Sequence, residues 1–112
     1  MLAIAAARLG FGPVVAIDDD EAAVAATQEN ATRNGVSIDA RVLDALHEAL
    51  PAADVALANI ALDVVTEVVP RLQCDRIVLS GYLDRDRRAP SGLRHLDRRT
   101  AAGWAADLYA RE

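Results

Sequence analysis

Apolar residues come in short continuous blocks separated by polar or glycine-bearing segments, and the length and flanks of each block predict its structure. Met1–Leu9 is alanine-rich, free of breakers and closed by Gly10, which predicts a helix. Gly10-Phe11-Gly12-Pro13 predicts a turn. Val14-Val15-Ala16-Ile17 is an unbroken apolar run ending on Asp18, the pattern of a strand buried on both faces. Asp19-Asp20-Glu21 then offers a cap and an acidic first turn for a helix to about Arg33, stopped by Asn34-Gly35. Ile38–Leu43 predicts a second strand, less apolar and so nearer a sheet edge, ending at Asp44. Residues 45–53 read as irregular or a short helix, with Pro51 as a breaker. Val55–Ala58 predicts a third buried strand, ending at Asn59. Leu62, Val65, Val68 and Val69 place an apolar stripe on a helix that Pro70 helps to end. Ile77-Val78-Leu79 centres a fourth strand at Arg76–Ser80.

After Gly81 the texture changes. Asp84–Ser91 is charged, carries Pro90 and predicts a loop. Leu93–Arg99 and Trp104–Ala110 flank Thr100–Gly103, which predicts an antiparallel hairpin with Trp104, Ala106 and Leu108 on one face. The whole pattern is helix, strand, helix, strand, strand, helix, strand, hairpin. It predicts an α/β fold, a mostly parallel sheet with helices on both faces and a C-terminal antiparallel hairpin. In such sheets ligands bind beyond the carboxyl ends of the strands, where this chain carries Asp18, Asp44 and Asn59.

Composition narrows the class. The 112 residues suit one domain, and 53% hydrophobic content supports a buried core built from Ala, Val, Leu and Ile. Net charge is −5 but unevenly spread: residues 1–75 carry four Arg against twelve acids, residues 76–112 eight Arg against five. All twelve basic residues are arginine, a bias a GC-rich coding sequence explains. The single cysteine, Cys74, excludes an internal disulfide and fits a reducing cytoplasm, and two distant histidines do not make a zinc site. The apolar opening lacks a basic leader and meets Arg8 at once, unlike a signal peptide. Asp63 and Glu67 interrupt Val55–Val69, which excludes a membrane span there. A soluble, cytoplasmic protein is expected.

Each candidate residue has a functional and a structural reading. Asp18, at a strand tip, has two acceptor oxygens that suit the vicinal hydroxyls of a ribose; the competing role is a helix N-cap, for which Asp19 and Asp20 also stand in line. Asn59 could accept the N–H of a nucleophilic amine without carrying charge, or cap the helix that follows. Asp44 is either a third contact to a bound base or a solvated turn carboxylate. Arg85, Arg87, Arg88, Arg94, Arg98 and Arg99 could form a patch for RNA or an acidic protein. Asp84, Asp86 and Asp97 interleave with them and no aromatic is at hand for stacking, so a solvated charged loop is expected and no direct nucleic-acid contact. Cys74 has no partner to make it a nucleophile.

The segments Leu2-Ala-Ile-Ala-Ala-Ala-Arg-Leu-Gly, Ala16-Ile-Asp-Asp-Asp and Gln28-Glu-Asn-Ala-Thr-Arg-Asn-Gly-Val resemble the class I S-adenosylmethionine-dependent methyltransferases. Within that class, Asp54-Val-Ala-Leu-Ala-Asn-Ile and Ile77-Val-Leu-Ser-Gly-Tyr-Leu are similar to the ribosomal protein L11 methyltransferase family. That family has Asn-Ile where many amine methyltransferases carry Asn-Pro-Pro. The likeness runs over residues 2–83 and returns at Trp104–Arg111. It implies a Rossmann-like fold with S-adenosylmethionine as cofactor and protein amines, those of ribosomal protein L11, as methyl acceptors. It further implies that Asp18 holds the ribose, Asp44 lies by the adenine and Asn59 faces the acceptor amine, with no metal required.

The departures from the family are equally specific. Its first strand and glycine-rich loop, which precede the helix matching Leu2–Leu9, are absent, as is its N-terminal substrate-gripping domain. Asp19 stands where an apolar residue is usual, and the helix before the hairpin is reduced to Asp84–Ser91. The expectation is a partial methyltransferase domain over residues 1–112, truncated at the N-terminus. The alternative is a non-catalytic remnant or interaction module, and a nicotinamide-binding Rossmann fragment is a third reading, opposed by Asn59-Ile60 and the hairpin. Without the first strand, Val14–Ile17 and Val55–Ala58 are expected either to pair directly or to have the gap filled by another chain, giving a homo-oligomer.

Overall fold

Both of the first two helices end as their closing glycines predict. Helix α1 (Leu2–Arg8) closes with Phe11 N–H on the Ala6 carbonyl at 3.1 Å and Gly10 N–H on Ala7 at 3.1 Å. Helix α2 (Glu21–Arg33) repeats this with Val36 N–H on Ala31 at 3.1 Å and Gly35 N–H on Thr32 at 3.2 Å. The computed structural model describes residues 2–86 and 90–112, and the chain divides into two compact units, residues 1–48 and 49–112.

In the first unit, β1 (Val15–Asp18) pairs in parallel with β2 (Asp39–Val42), in register from Val15 opposite Asp39 to Asp18 opposite Val42. α2 links the two strands and packs on both. It buries Val24 and Ala31, two turns apart on one face. The apolar run at 14–17 was expected to be buried on both faces. It is not: Val15 is 37% exposed and Ala16 and Ile17 only half-buried. A run of β-branched residues specifies a strand, but its burial depends on what covers it, and in a two-stranded sheet both strands are edges.

The second unit is a mixed four-stranded sheet in the order β3-β4-β6-β5. β3 (Val55–Asn59) runs parallel to β4 (Arg76–Leu83), which is antiparallel to β6 (Trp104–Arg111); β6 is antiparallel to β5 (Leu93–Ala101). Helix α3 (Leu62–Val68) and a 3₁₀ turn at Val69–Arg71, with Pro70 inside it, connect β3 to β4. The core gathers Val65, Val69, Ile77, Leu79, Tyr82, Ala105 and Tyr109, with Cys74 at its margin. β3 was also expected to be buried, yet it is an outer strand and Leu57 is 42% exposed.

The structure adds detail to three further expectations. The described strands form one sheet in each unit, with β1 laddered to β2 in the first and β3 to β4 in the second. The fourth strand runs three residues beyond Ser80 because β6 supplies ladder partners as far as Leu83. Trp104, Ala106 and Leu108 do share a face, but the more open one, since Ala105, Asp107 and Tyr109 point into the core. Of the expected loop at 84–91, residues 87–89 lie outside the described residues. The hairpin itself forms as predicted, turning on Ala102 and Gly103 with φ of 52° and 84°. Two consecutive left-handed residues make the tight turn whose twist matches that of the strands.

Candidate functional site

In the first unit the ladder continues to the very tip of β1, where Leu43 N–H donates to the Asp18 carbonyl at 2.9 Å. Asp18 Oδ1 accepts the Asp20 N–H at 2.9 Å, which bends the chain toward α2. The capping role belongs to Asp20, whose carboxylate accepts the Ala22 N–H at 3.0 Å. Asp18 is therefore not the helix cap, and its exposed Oδ2 has no hydrogen bond among the described residues. Asp44 is differently occupied. Its Oδ1 accepts from Leu46 N–H at 2.9 Å, its Oδ2 lies 2.6 Å from His47 Nδ1, and its own N–H donates to Glu48 at 2.6 Å. Its carboxylate thus organises the turn at 44–48 while remaining 43% exposed.

In the second unit Asn59 ends β3 opposite Ser80, and Ile60 N–H donates to the Ser80 carbonyl at 2.9 Å. Capping does not occupy Asn59 either: the N-cap of α3 is Ala61, with no side-chain cap bond. The Asn59 side chain is exposed, makes no hydrogen bond among the described residues, and rests against Gly81. A Cβ on Gly81 would lie 2.5 Å from Asn59 Oδ1 and 2.9 Å from the Ile60 carbonyl, and its φ is +101°. Only glycine fits there, by space and by conformation. Asn59, Ser80 and Gly81 line one side of an open cavity of about 630 Å³, with Thr100, Trp104 and Ala106 of the hairpin among its other walls.

Over residues 1–88 the chain matches the family model described as Ribosomal protein L11 methyltransferase (PrmA). The chain belongs to the ribosomal protein L11 methyltransferase family. It is 47% identical over 124 aligned positions to the ribosomal protein L11 methyltransferase of Symbiobacterium thermophilum, covering 96% of this chain and 39% of that protein. It is 35% identical over 123 positions to that of Pelobacter propionicus, covering 99% of this chain and 40% of that protein. The chain thus spans about two fifths of the length of these two relatives. It superposes on the crystal structure of ribosomal protein L11 methylase from Lactobacillus delbrueckii subsp. bulgaricus with a TM-score of 0.85 at 24% identity, covering 99% of this chain and 64% of that one. The 16S rRNA methyltransferase RmtF in complex with S-adenosyl-L-homocysteine gives 0.77 at 22% identity, covering 99% and 52%. At these identities the two structures establish the Rossmann-like α/β fold, and the sequence matches establish the family.

A buried polar network in this family member escapes the sequence pattern. Asp107 on β6, 3% exposed, accepts from the Tyr82 hydroxyl at 2.6 Å and from Arg98 Nε at 2.9 Å and Nη2 at 3.2 Å, and lies 2.9 Å from His95 Nε2. Burial works against the Asp107 charge, but the hydrogen bonds from Arg98, Tyr82 and His95 outweigh it and hold the carboxyl down at about 2. Burial and the facing carboxylate push the Tyr82 phenol well above its ordinary range.

Strict alternation along β5 would point His95 and Arg98 to opposite faces. A register shift between His95 and Asp97 re-phases the strand, so both reach Asp107. The available signal was Asp107 itself, an acid in phase with Ala105 and Tyr109. Arg98 also corrects the expectation of a solvated arginine cluster: its side chain is 19% exposed, against 87% for Arg99, and it ties down the Asp84 and Asp86 carbonyls at 2.8 and 3.2 Å. Arg85, Arg94 and Arg99 are exposed, whereas Arg87 and Arg88 lie outside the described residues. Burial pushes the Cys74 thiol up, consistent with an unreactive packing role.

Proposed function

We propose that this chain carries part of the site of an S-adenosylmethionine-dependent protein methyltransferase that modifies amine groups of ribosomal protein L11. The observation that supports this best is the tip of β3. Asn59 is neither a helix cap nor hydrogen-bonded among the described residues, and it borders an open cavity while glycine holds space for it. A carboxamide there can accept the N–H of an uncharged amine and aim the nitrogen lone pair without adding charge, so its contribution is orientation.

The acceptor set also fits the cofactor. Asp18 offers an exposed carboxylate with Oδ2 open to the ribose hydroxyls, and the Asp44 carboxylate, 43% exposed beyond β2, is the candidate contact to the adenine. When bound, S-adenosylmethionine supplies an electrophilic methyl on its sulfonium. Among the described residues β1 and β3 each have a ladder partner on one side only, which supports pairing with another chain, in a homo-oligomer.

The test is a segment exchange. The matching segment of the Symbiobacterium thermophilum enzyme is replaced by this chain, and transfer of radiolabelled methyl to L11 is measured. Transfer is expected, and Asn59→Ala in the exchanged enzyme should lower it on the order of a hundredfold. A folded exchanged enzyme without transfer would overturn the reading and leave a non-catalytic interaction module in its place.

A further inference from the structure

The contact between Asn59 and Gly81 exists because β4 is bulged there. Up to Ser80, β4 pairs residue for residue with β6, but Ser80 faces Ala106 and Tyr82 faces the adjacent Ala105, so Gly81 is the extra residue. The bulge presses the Gly81 backbone against the Asn59 carboxamide and the Ile60 peptide. It also reverses the phase of the strand, which turns Tyr82 inward on the same side as Ile77 and Leu79. From there the Tyr82 hydroxyl reaches back to Asp107 Oδ2 at 2.6 Å and the Leu79 carbonyl at 3.2 Å, sharing its proton across the bulge. Arg98 and His95 hold Asp107 from β5, so the anchor is a charged group braced from both neighbouring strands.

We propose that Tyr82 and Asp107 are positioning residues for Asn59. Their hydrogen bond closes the bulge, the closed bulge holds Gly81 against the Asn59 carboxamide, and the carboxamide thereby keeps one orientation at the cavity. The role in methyl transfer rests on the reading of Asn59 given above; the mechanical coupling does not.

The coupling is tested on the isotope-labelled chain by nuclear magnetic resonance, following the Asn59 side-chain amide pair and the exchange of the Ile60 backbone amide, which is bonded to the Ser80 carbonyl just before the bulge. Tyr82→Phe keeps the ring and removes the hydroxyl. It should move or broaden the Asn59 pair and speed Ile60 exchange up to about tenfold, while the amides of α2 stay as they are. Gly81→Ala should move the Asn59 pair further, with Tyr82 and Asp107 intact. Should Tyr82→Phe fail to fold, Asp107→Asn carries the same test, with a smaller shift in the same signals. A Tyr82→Phe chain of lowered stability whose Asn59 and Ile60 signals match wild type would overturn the proposal and leave Tyr82 a core residue only.

In the segment-exchanged enzyme, Tyr82→Phe should lower kcat and leave KM for S-adenosylmethionine unchanged. If the resonances move as expected but Asn59→Ala leaves transfer intact, the coupling stands and the acceptor role of Asn59 falls.

Discussion

Removing the Asp18 carboxylate is expected to weaken binding of S-adenosylhomocysteine by roughly 1.5–3 kcal/mol, the cost of a charged hydrogen-bond pair. Titration calorimetry of the chain and of Asp18→Ala measures this directly, and equal affinities would remove Asp18 from the site. The structure separates it from its neighbours in a way that no single sequence could, because Asp20 takes the cap and Asp18 spends only Oδ1, on the Asp20 N–H.

Asp107 makes a prediction of another kind. Its carboxyl sits at about 2 in the folded chain against an ordinary 3.8, so the folded state binds fewer protons than the unfolded one. The stability it contributes is complete above about pH 4 and is lost as the pH falls toward about 2, on the order of 2 kcal/mol in all. Urea unfolding over that range should show this acid limb in the wild type and a flatter one in Asp107→Asn.

Among the elements, the hairpin offers the most direct test. Ala102 holds a left-handed φ of 52°, which costs a residue with a Cβ about 1–2 kcal/mol, and asparagine tolerates it better. Ala102→Asn should stabilise the chain by roughly 0.5–1 kcal/mol, read as a raised thermal midpoint; a lowered midpoint would show that the turn is not of this type.

The hairpin, α1 and α2 were legible in advance because glycine and acidic residues mark their ends chemically. β1 and β3 were legible as strands but not in their burial, since Val15 and Leu57 carry no information about what lies over them. The bulges were the least legible. Gly81 hints at one, but Leu96, between His95 and Asp97, has nothing in its side chain to announce an extra residue. Hence counting places Asp18 and Asn59 at strand tips and Asp44 two residues past one, whereas it does not bring Tyr82, His95, Arg98 and Asp107 together.

At the scale of the molecule, the chain alone is expected not to methylate L11 at a useful rate. It spans about two fifths of its Symbiobacterium and Pelobacter relatives, and the contacts proposed for it cover ribose, adenine and acceptor but not the rest of the cofactor. A radiolabelled-methyl assay showing turnover comparable to the Symbiobacterium enzyme would overturn this. Among the described residues no helix is long and apolar enough to cross a membrane. Among the described residues β1 and β3 each pair on one side only, so light scattering is expected to give a mass above that of one chain, and a clean monomer would speak against strand pairing between copies.

The two bulges leave β6 as the straight ruler of its sheet, with an extra residue in the strand on either side of it. In a strand, inside and outside are decided by parity, so each bulge is a one-residue change from even to odd. Deleting Gly81 or Leu96 would remove the bulge and restore plain alternation, leaving Tyr82 opposite Ala105 and Arg98 opposite Asp107 on the faces they already occupy. The two bulged strands should therefore keep their facing on losing that one residue, at the cost in β4 of the Gly81 contact with Asn59, whereas in β6, which carries no extra residue, a change in count would turn the strand beyond it inside out.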